Sequence, residues 1–519
     1  MSSTSYLRAA RASDFENSRE RFLYRLFEIF PGVFALGTLG IALVGSWLFP
    51  VAAAFFILGF VLYWFSRILY FAFHLKAGYQ KMREHERINW IEKLNALPPE
   101  SYSLSVQRWQ DIFHLILAPT YQEPYDVLRE TFRSLSNSDY PKERMIVVLG
   151  IEERAGEKAE EIAALLKKEF EGDFFRLLVA RHPANIPGEI AGKGSNETWA
   201  VKLAKEKIVD ALPIPYERII VTSLDADSVV FPKYFSCLTY HYLTSSNPLR
   251  HSYQPVPLFL NNIWQASSLS RIFAFSTTFW YLMNQERPEK LSTFSSHSMS
   301  FQALVDVGFK QTNFAVDDSR IFWQCFLRFD GDYRVQPLYY PISMDANVAR
   351  TFWGTVKNIY KQQRRWAYGV ADVPYFLFGF LKTKKIPLAK KLSLGLDRIE
   401  SYWSWATASP LIFFLGWLPL LLGGTEFSQT LLSYNLPRYT SWILTVTLIG
   451  IVWSVYLSIV FLPPRPPGYK TWRFFWFGVQ WLLLPAIMIF FALPALDAQT
   501  RLMLGKYMGF WSTPKFRKK

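Results

Sequence analysis

Asp225-Ala-Asp227 comes directly after the apolar stretch Ile219-Ile-Val-Thr-Ser-Leu224. Two carboxylates spaced two residues apart at the end of an extended segment can project to one side. Presented together they suit a hard divalent cation, Mg²⁺ or Mn²⁺, which keeps part of its water and binds phosphate oxygens. Surface acidic pairs are common, so it is the position after a strand that gives the triplet weight. Lys193 stands in Gly192-Lys-Gly-Ser-Asn196 before a predicted helix, where a lysine among glycines can approach a diphosphate; the ordinary alternative is a flexible surface loop. This segment is neither a P-loop nor a Gly-x-Gly-x-x-Gly fingerprint. Downstream, Asp317-Asp318 opens a helical segment, and Gln362-Gln-Arg-Arg-Trp366 falls late in a helix predicted over 355–368.

The elements that position these residues read as a parallel sheet covered by helices, because short apolar runs alternate with helical patterns. Strands are predicted at 113–118, 144–151, 174–180 and 218–224, with helices at 125–136, from the end of the second strand to about 170, and at 197–210. Polar groups gather where the strands end: Thr120 and Glu123, Glu152 and Glu153, then Asp225 and Asp227. In open α/β sheets ligands bind beyond those carboxyl ends.

On both sides of this region the chain turns apolar. Residues 32–49 carry no charge, and 50 to about 73 carry only Arg67, which could snorkel to an interface. Further runs cover 402–422, 441–462 and 474–493, each near the roughly 20 residues that cross hydrocarbon. Five spans are expected. Half of the 519 residues are hydrophobic and 18% aromatic, with 45 Phe, 27 Tyr and 19 Trp, which fits a bilayer and its interfacial belts. Arg8, Arg11, Arg19, Arg21 and Arg25 place the N-terminus in the cytoplasm, and the hairpin returns the chain there. The loop 423–440 reads as external and the one with Arg465, Lys470 and Arg473 as internal. A fifth crossing then leaves Lys515, Arg517, Lys518 and Lys519 outside, against the rule; an additional membrane segment at 373–381, or a re-entrant last run, restores it.

The net charge of +15 allows anionic lipid, an anionic small substrate or nucleic acid, and the last ranks lowest because no basic run with interleaved aromatics stands out. Cys237 and Cys325 alone make neither a disulfide framework nor a zinc site, in keeping with a catalytic part in a reducing compartment.

The series Asp-x-Asp, Asp-Asp, Gln-x-x-Arg-Trp, in this order between membrane runs, resembles the membrane-integrated family 2 glycosyltransferases of the cellulose, chitin and hyaluronan synthase type. The resemblance covers about 113–369 and implies a GT-A fold, an α/β nucleotide-sugar-binding domain inserted between N- and C-terminal transmembrane helices. It implies an inverting, metal-dependent hexosyltransferase at the cytoplasmic face of the plasma (inner) membrane, with Mg²⁺ or Mn²⁺ as cofactor. The donor is a nucleotide-sugar, a UDP-sugar favoured, and the acceptor a growing glycan. By position, Thr120, Tyr121 and Glu123 lie near the base, Lys193 at the diphosphate, Asp225 near phosphates or sugar, and Asp227 on the metal. Asp318, with Asp317 before it, supplies the general base that takes the proton of the attacking hydroxyl. Gln362, Arg365 and Trp366 sit where the diphosphate leaves and the acceptor approaches; Arg365 stabilises developing charge and Trp366 offers a flat face to a sugar. Two departures stand out. Leu149-Gly-Ile-Glu-Glu-Arg154 replaces the usual Asp-Asp turn, so Glu152 or Glu153 takes the base-reading place. Val-Asp-Asp replaces Thr-Glu-Asp, with the second acid kept.

The organisation expected is an N-terminal segment and hairpin at 1–75, the transferase domain at 76–350, interfacial helices at 351–400 and a transmembrane region at 401–519. Two alternatives compete: single addition to a lipid-linked acceptor, and a transporter or scaffold with a degenerate domain. Transport would ordinarily need ionisable residues within the spans.

Overall fold

The computed structural model describes residues 5–447, 449–514, 516 and 517; of the basic tail, Lys515, Lys518 and Lys519 lie outside them. Helix Ser18–Leu48 is capped by Asn17, whose side chain accepts from the amides of Arg19 and Glu20, satisfying donors the first turn leaves open. Pro50, at the first position of helix Pro50–Arg87, closes the hairpin. Ile41, Trp47, Phe55 and Phe73 on these helices are exposed. Outward-facing apolar surface of this extent needs a partner or a bilayer.

Among the described residues three helices are long and apolar enough to cross a membrane: Ser18–Leu48, Pro50–Arg87 and Leu431–Val460. A fourth arises if Leu388–Phe413 and Leu415–Leu422, bent by 48°, are counted as one span. The five expected spans are corrected here. The run 474–493 is divided between helices Thr471–Val479 and Leu484–Met503, with Gln480 and Trp481 buried at the break. The external loop expected at 423–440 is mostly helix, since Leu431–Thr447 begins ten residues early. The segment 373–381 belongs to helix Asp372–Lys382, buried in the protein core; Asp372 there pairs with the fully buried Arg320 at 2.7 Å. Arg67 does not snorkel free: it pairs with Glu400 at 3.1 Å, and the Tyr63 hydroxyl donates to the same carboxylate. The boundaries drawn at 75 and 400 fall inside helices Pro50–Arg87 and Leu388–Phe413.

Between these helices lies one eight-stranded sheet: β1 Phe113–Thr120, β2 Met145–Glu152, β3 Arg176–His182, β4 Ile219–Ser223, β5 Val229–Val230, β6 His251–Leu258, β7 Ser298–Ser300 and β8 Arg334–Ser343. The order is β3-β2-β1-β4-β7-β6-β8-β5. β3, β2, β1 and β4 are parallel. Every residue of β1, β2 and β4 is buried, because helices cover both faces; this is why they read as continuous apolar runs. Leu115, Leu117, Ile146 and Val148 face one core, Ile116, Ala118, Val147 and Leu149 the other.

The second half corrects the all-parallel expectation. β7 runs antiparallel to β4 and β6, while β8 is parallel to β6 and antiparallel to β5. β6 and β8 carry prolines at 255, 257, 337 and 341, which obscure a strand pattern by removing ladder donors. Their register shifts between Gln254 and Val256, opposite a β8 segment in which Tyr339 takes a positive φ of 48°.

Candidate active site

The carboxyl ends of β1, β2 and β4 converge with the N-termini of helices Lys193–Ala204 and Asp317–Arg328. Past Ser223 the chain does not stay extended. Asp225 and Ser228 close a turn, through Ser228 N to Asp225 O (2.9 Å) and Asp225 N to Ser228 Oγ (3.1 Å). Asp225 and Asp227 therefore acquire separate partners instead of the shared side expected.

Asp225 accepts from Lys193 Nζ at 2.6 Å and from Ser295 Oγ at 2.6 Å. The same Lys193 Nζ lies 3.2 Å from both oxygens of Asp318. A second lysine, Lys310, lies 2.5 Å from Glu197, 3.0 Å from Asp317 and 3.3 Å from Asp318. Two lysines thus face four carboxylates. Lys193 occupies the first position of its helix, the end where the backbone dipole disfavours a cation; the carboxylates outweigh that penalty. Gly194 permits the approach, since a Cβ there would stand 2.8 Å from Asp317 Cβ.

Exposure separates these carboxylates. The side chains of Asp225 and Asp318 are 29% and 20% exposed, those of Asp317 and Glu197 only 3% and 1%. Asp225 and Asp318 are open to a substrate, and Asp317 and Glu197 anchor Lys310. Burial alone would raise the Asp318 carboxyl, but Lys193 and then Lys310 hold it far below the usual carboxylate range. Burial would lower Lys193, and Asp225 and Asp318 hold it well above its ordinary value. His297, 3.8 Å from Asp318, is lowered to about 3 by burial and by Lys310, so it is a neutral imidazole whose Nδ1 binds Phe294 O. Ser296, beside it, takes a φ of 64°, a left-handed conformation that costs a non-glycine residue about 1 kcal/mol. Tyr281 faces the same group: burial, then Asp318 and Asp225, push its phenol up.

Asp227 is fully buried, and its Oδ2 accepts from the Asp345 amide at 2.9 Å. The Asp345 carboxylate, 1% exposed, is matched by Arg517 at 2.6 Å, and Arg517 also reaches Glu130. Asp227 and Asp345 are buried oxygen donors of the type hard cations use, joined through the Asp345 amide; Arg517 already neutralises Asp345, so a cation held there would have to displace that guanidinium. Glu197, Asp317 and Asp318 also place carboxylate oxygens within 4.8 Å of one another, but Lys310 already sits among them.

Thr120, Tyr121 and Glu123 line a cleft of about 320 Å³ with Leu149, Ile151 and Lys158. Glu123 organises its rim, accepting from Thr120 Oγ1 (2.7 Å) and the Tyr121 amide (2.8 Å). Glu152 is buried against Arg154, which stacks on Tyr121 at 4.2 Å; Glu153 accepts from the Ala184 amide. Gln362, Arg365 and Trp366 lie on helix Phe352–Ala367. Gln362 accepts from Asn347 (3.1 Å), Arg365 lies over Phe510 (5.0 Å) and Trp366 packs on Phe259. Among the described residues none of the three hydrogen-bonds to the lysine–carboxylate group. The tail closes the gap: Phe510 packs so tightly on Gly192 that a Cβ there would lie 2.5 Å from its ring.

Glu197, Lys310, His297, Ser295, Tyr281 and Asp345 escaped the sequence reading. Each is a lone polar residue in an unremarkable stretch, with no local spacing to mark it.

No family model and no curated protein matches the chain. Among solved structures it is similar to the mannosyltransferase PcManGT from Pyrobaculum calidifontis in complex with GDP-Man and Mn²⁺, 13% identical over 87% of this chain and 100% of that one, with a TM-score of 0.43. It is also similar to S. aureus TarS 1-349 in complex with UDP-GlcNAc, 11% identical over 68% and 93%, with a TM-score of 0.30. These likenesses are to glycosyltransferases, but at such scores they carry no argument about the roles of residues here.

Proposed function

We propose that the chain is a membrane-embedded, inverting glycosyltransferase of GT-A type that uses a nucleotide-sugar and a divalent cation at the cytoplasmic membrane face. The observation that carries this reading is the Lys193–Asp225–Asp318 cluster at the strand ends, beside a cleft of about 320 Å³. The cleft between β1, β2 and helix Glu157–Phe170 suits the base, with Tyr121 and Thr120 as its wall. Lys193 then exchanges carboxylates for the diphosphate, freeing Asp318 to meet the acceptor hydroxyl. The acceptor oxygen bonds to the anomeric carbon, the bond to the diphosphate breaks with inversion, and the hydroxyl proton passes to Asp318. Asp227 and Asp345 would hold Mg²⁺ or Mn²⁺, which supplies charge neutralisation for the leaving diphosphate. Arg365 adds a second positive group on the acceptor side, and Asp317 positions Lys310. Counted as four crossings, the candidate spans would keep the N-terminal arginines, the catalytic domain and Arg517, which pairs with Asp345, on one side, in keeping with the positive-inside rule.

The small number of candidate spans favours transfer of one sugar to a lipid-linked acceptor over extrusion of a polymer. The test uses purified full-length protein with labelled UDP- and GDP-sugars, with Mg²⁺ or Mn²⁺ and then EDTA. Metal-dependent release of nucleoside diphosphate is expected, with a single adduct on lipid-linked acceptors. Turnover indifferent to EDTA, or no donor used by any preparation, overturns the reading.

A further inference from the structure

We propose that His85, Cys237 and His241 bind a zinc-class divalent cation that pins the end of helix Pro50–Arg87 to the catalytic domain. Cys237 and His241 are four residues apart on helix Tyr234–Thr244, so they share a face. His85, in the last turn of Pro50–Arg87, meets them from another element. One donor atom from each lies within 4.8 Å of the others. A tetrahedral zinc with such ligands needs separations of about 3.3–3.6 Å, so binding would draw the three donors closer together.

The donor atoms are prepared for a cation. His85 Nδ1 is 2.7 Å from Leu338 O; donation to that carbonyl leaves the lone pair on Nε2, the arrangement that orients metal-binding histidines. His241 Nε2 is buried and has no hydrogen-bond partner among the described residues, a cost a ligated cation would remove. Cys237 is a fully buried free thiol. Trp90 packs against both rings, at 5.3 and 5.5 Å from His85 and His241. Burial, and then Asp139, push the Cys237 thiol up, and Lys93, which lies over Trp90, offsets this only in part, so it is the bound cation that would stabilise the thiolate. On binding, the Cys237 thiol proton leaves to solvent as the sulfur–metal bond forms. Two imidazoles and one thiolate, with water in a fourth position, select zinc over Mg²⁺ or Mn²⁺. Counting cysteines excluded such a site; the fold supplies the histidines. Lys233 secures the same junction through Glu86 O (3.1 Å) and Ile88 O (2.9 Å), and the cluster shares no residue with the candidate active site.

The test strips the purified full-length protein of metal and titrates it with Co²⁺. One equivalent should give a thiolate-to-cobalt charge-transfer absorption that Zn²⁺ displaces. It should vanish in Cys237→Ser, weaken 10-fold or more in His85→Gln, and persist in Cys325→Ser and Asp227→Asn, because the carboxylate site holds no sulfur. No sulfur band in the wild-type protein, or a band that survives Cys237→Ser, overturns the proposal. If Cys237→Ser fails to fold, His85→Gln and the wild-type spectrum decide it alone.

Discussion

Replacing Lys193 with Met removes the cation 2.6 Å from Asp225 and 3.2 Å from Asp318 while keeping much of the side-chain volume. At an effective dielectric of 20, a charge pair 3.2 Å apart is worth about 5 kcal/mol. At about 1.4 kcal/mol per tenfold, that is several powers of ten in the protonation equilibrium of Asp318. The sign follows from the cluster. Lys193 and Lys310 depress the Asp318 carboxyl, so it stays ionised, and its contribution to stability holds, until pH falls far below the usual carboxylate range. Without Lys193 its burial is opposed by Lys310 alone, because His297 is neutral in this range, and it protonates at higher pH. The assay is the pH dependence of kcat/KM and of the donor KM from pH 4.5 to 8. The wild-type protein should be flat on its acid side. Lys193→Met should show an acid limb, with a donor KM raised 10-fold or more, and thermal unfolding checks that the variant folds. An unchanged acid side together with an unchanged KM refutes the linkage of Lys193, Asp318 and donor.

Asp318→Asn should lower kcat by about 10²–10⁴-fold, the usual worth of a general base, with donor binding retained in a fluorescence or calorimetric titration. Arg517→Ala leaves the buried Asp345 carboxylate uncompensated, a loss of about 3–5 kcal/mol for a buried pair; a thermal melt should show the drop and Mn²⁺ should recover part of it, but not in the double variant with Asp345→Asn. Gly194→Ala places a methyl 2.8 Å from Asp317 Cβ, an overpacking cost of about 1–3 kcal/mol, and steady-state assays should show at least a 10-fold loss of activity from the displaced lysine.

The parallel half of the sheet was legible because its strands are buried on both faces and bounded by turns; β1, β2 and β4 lie within a residue or two of where they were predicted. β6, β7 and β8 were not, since prolines interrupt two of them and the third has three residues. Five apolar runs were visible, but hydropathy does not reveal that Gln480 and Trp481 interrupt the last one, or that Asp372 turns 373–381 inward to Arg320.

What the sequence determined by itself was the chemistry on offer: acids after a strand, an acid pair at a helix start, a basic–aromatic motif in a later helix, and apolar runs on both sides. These are local patterns, set by spacing along a strand or helix. Which acids stay open, and which cation neutralises which, was decided only by the tertiary structure. Lys193 meets Asp225 across 32 positions and Asp318 across 125, while the tail meets Asp345 across 172. Electrostatic pairing depends on distance in space and on burial, and neither is written in the order of the residues.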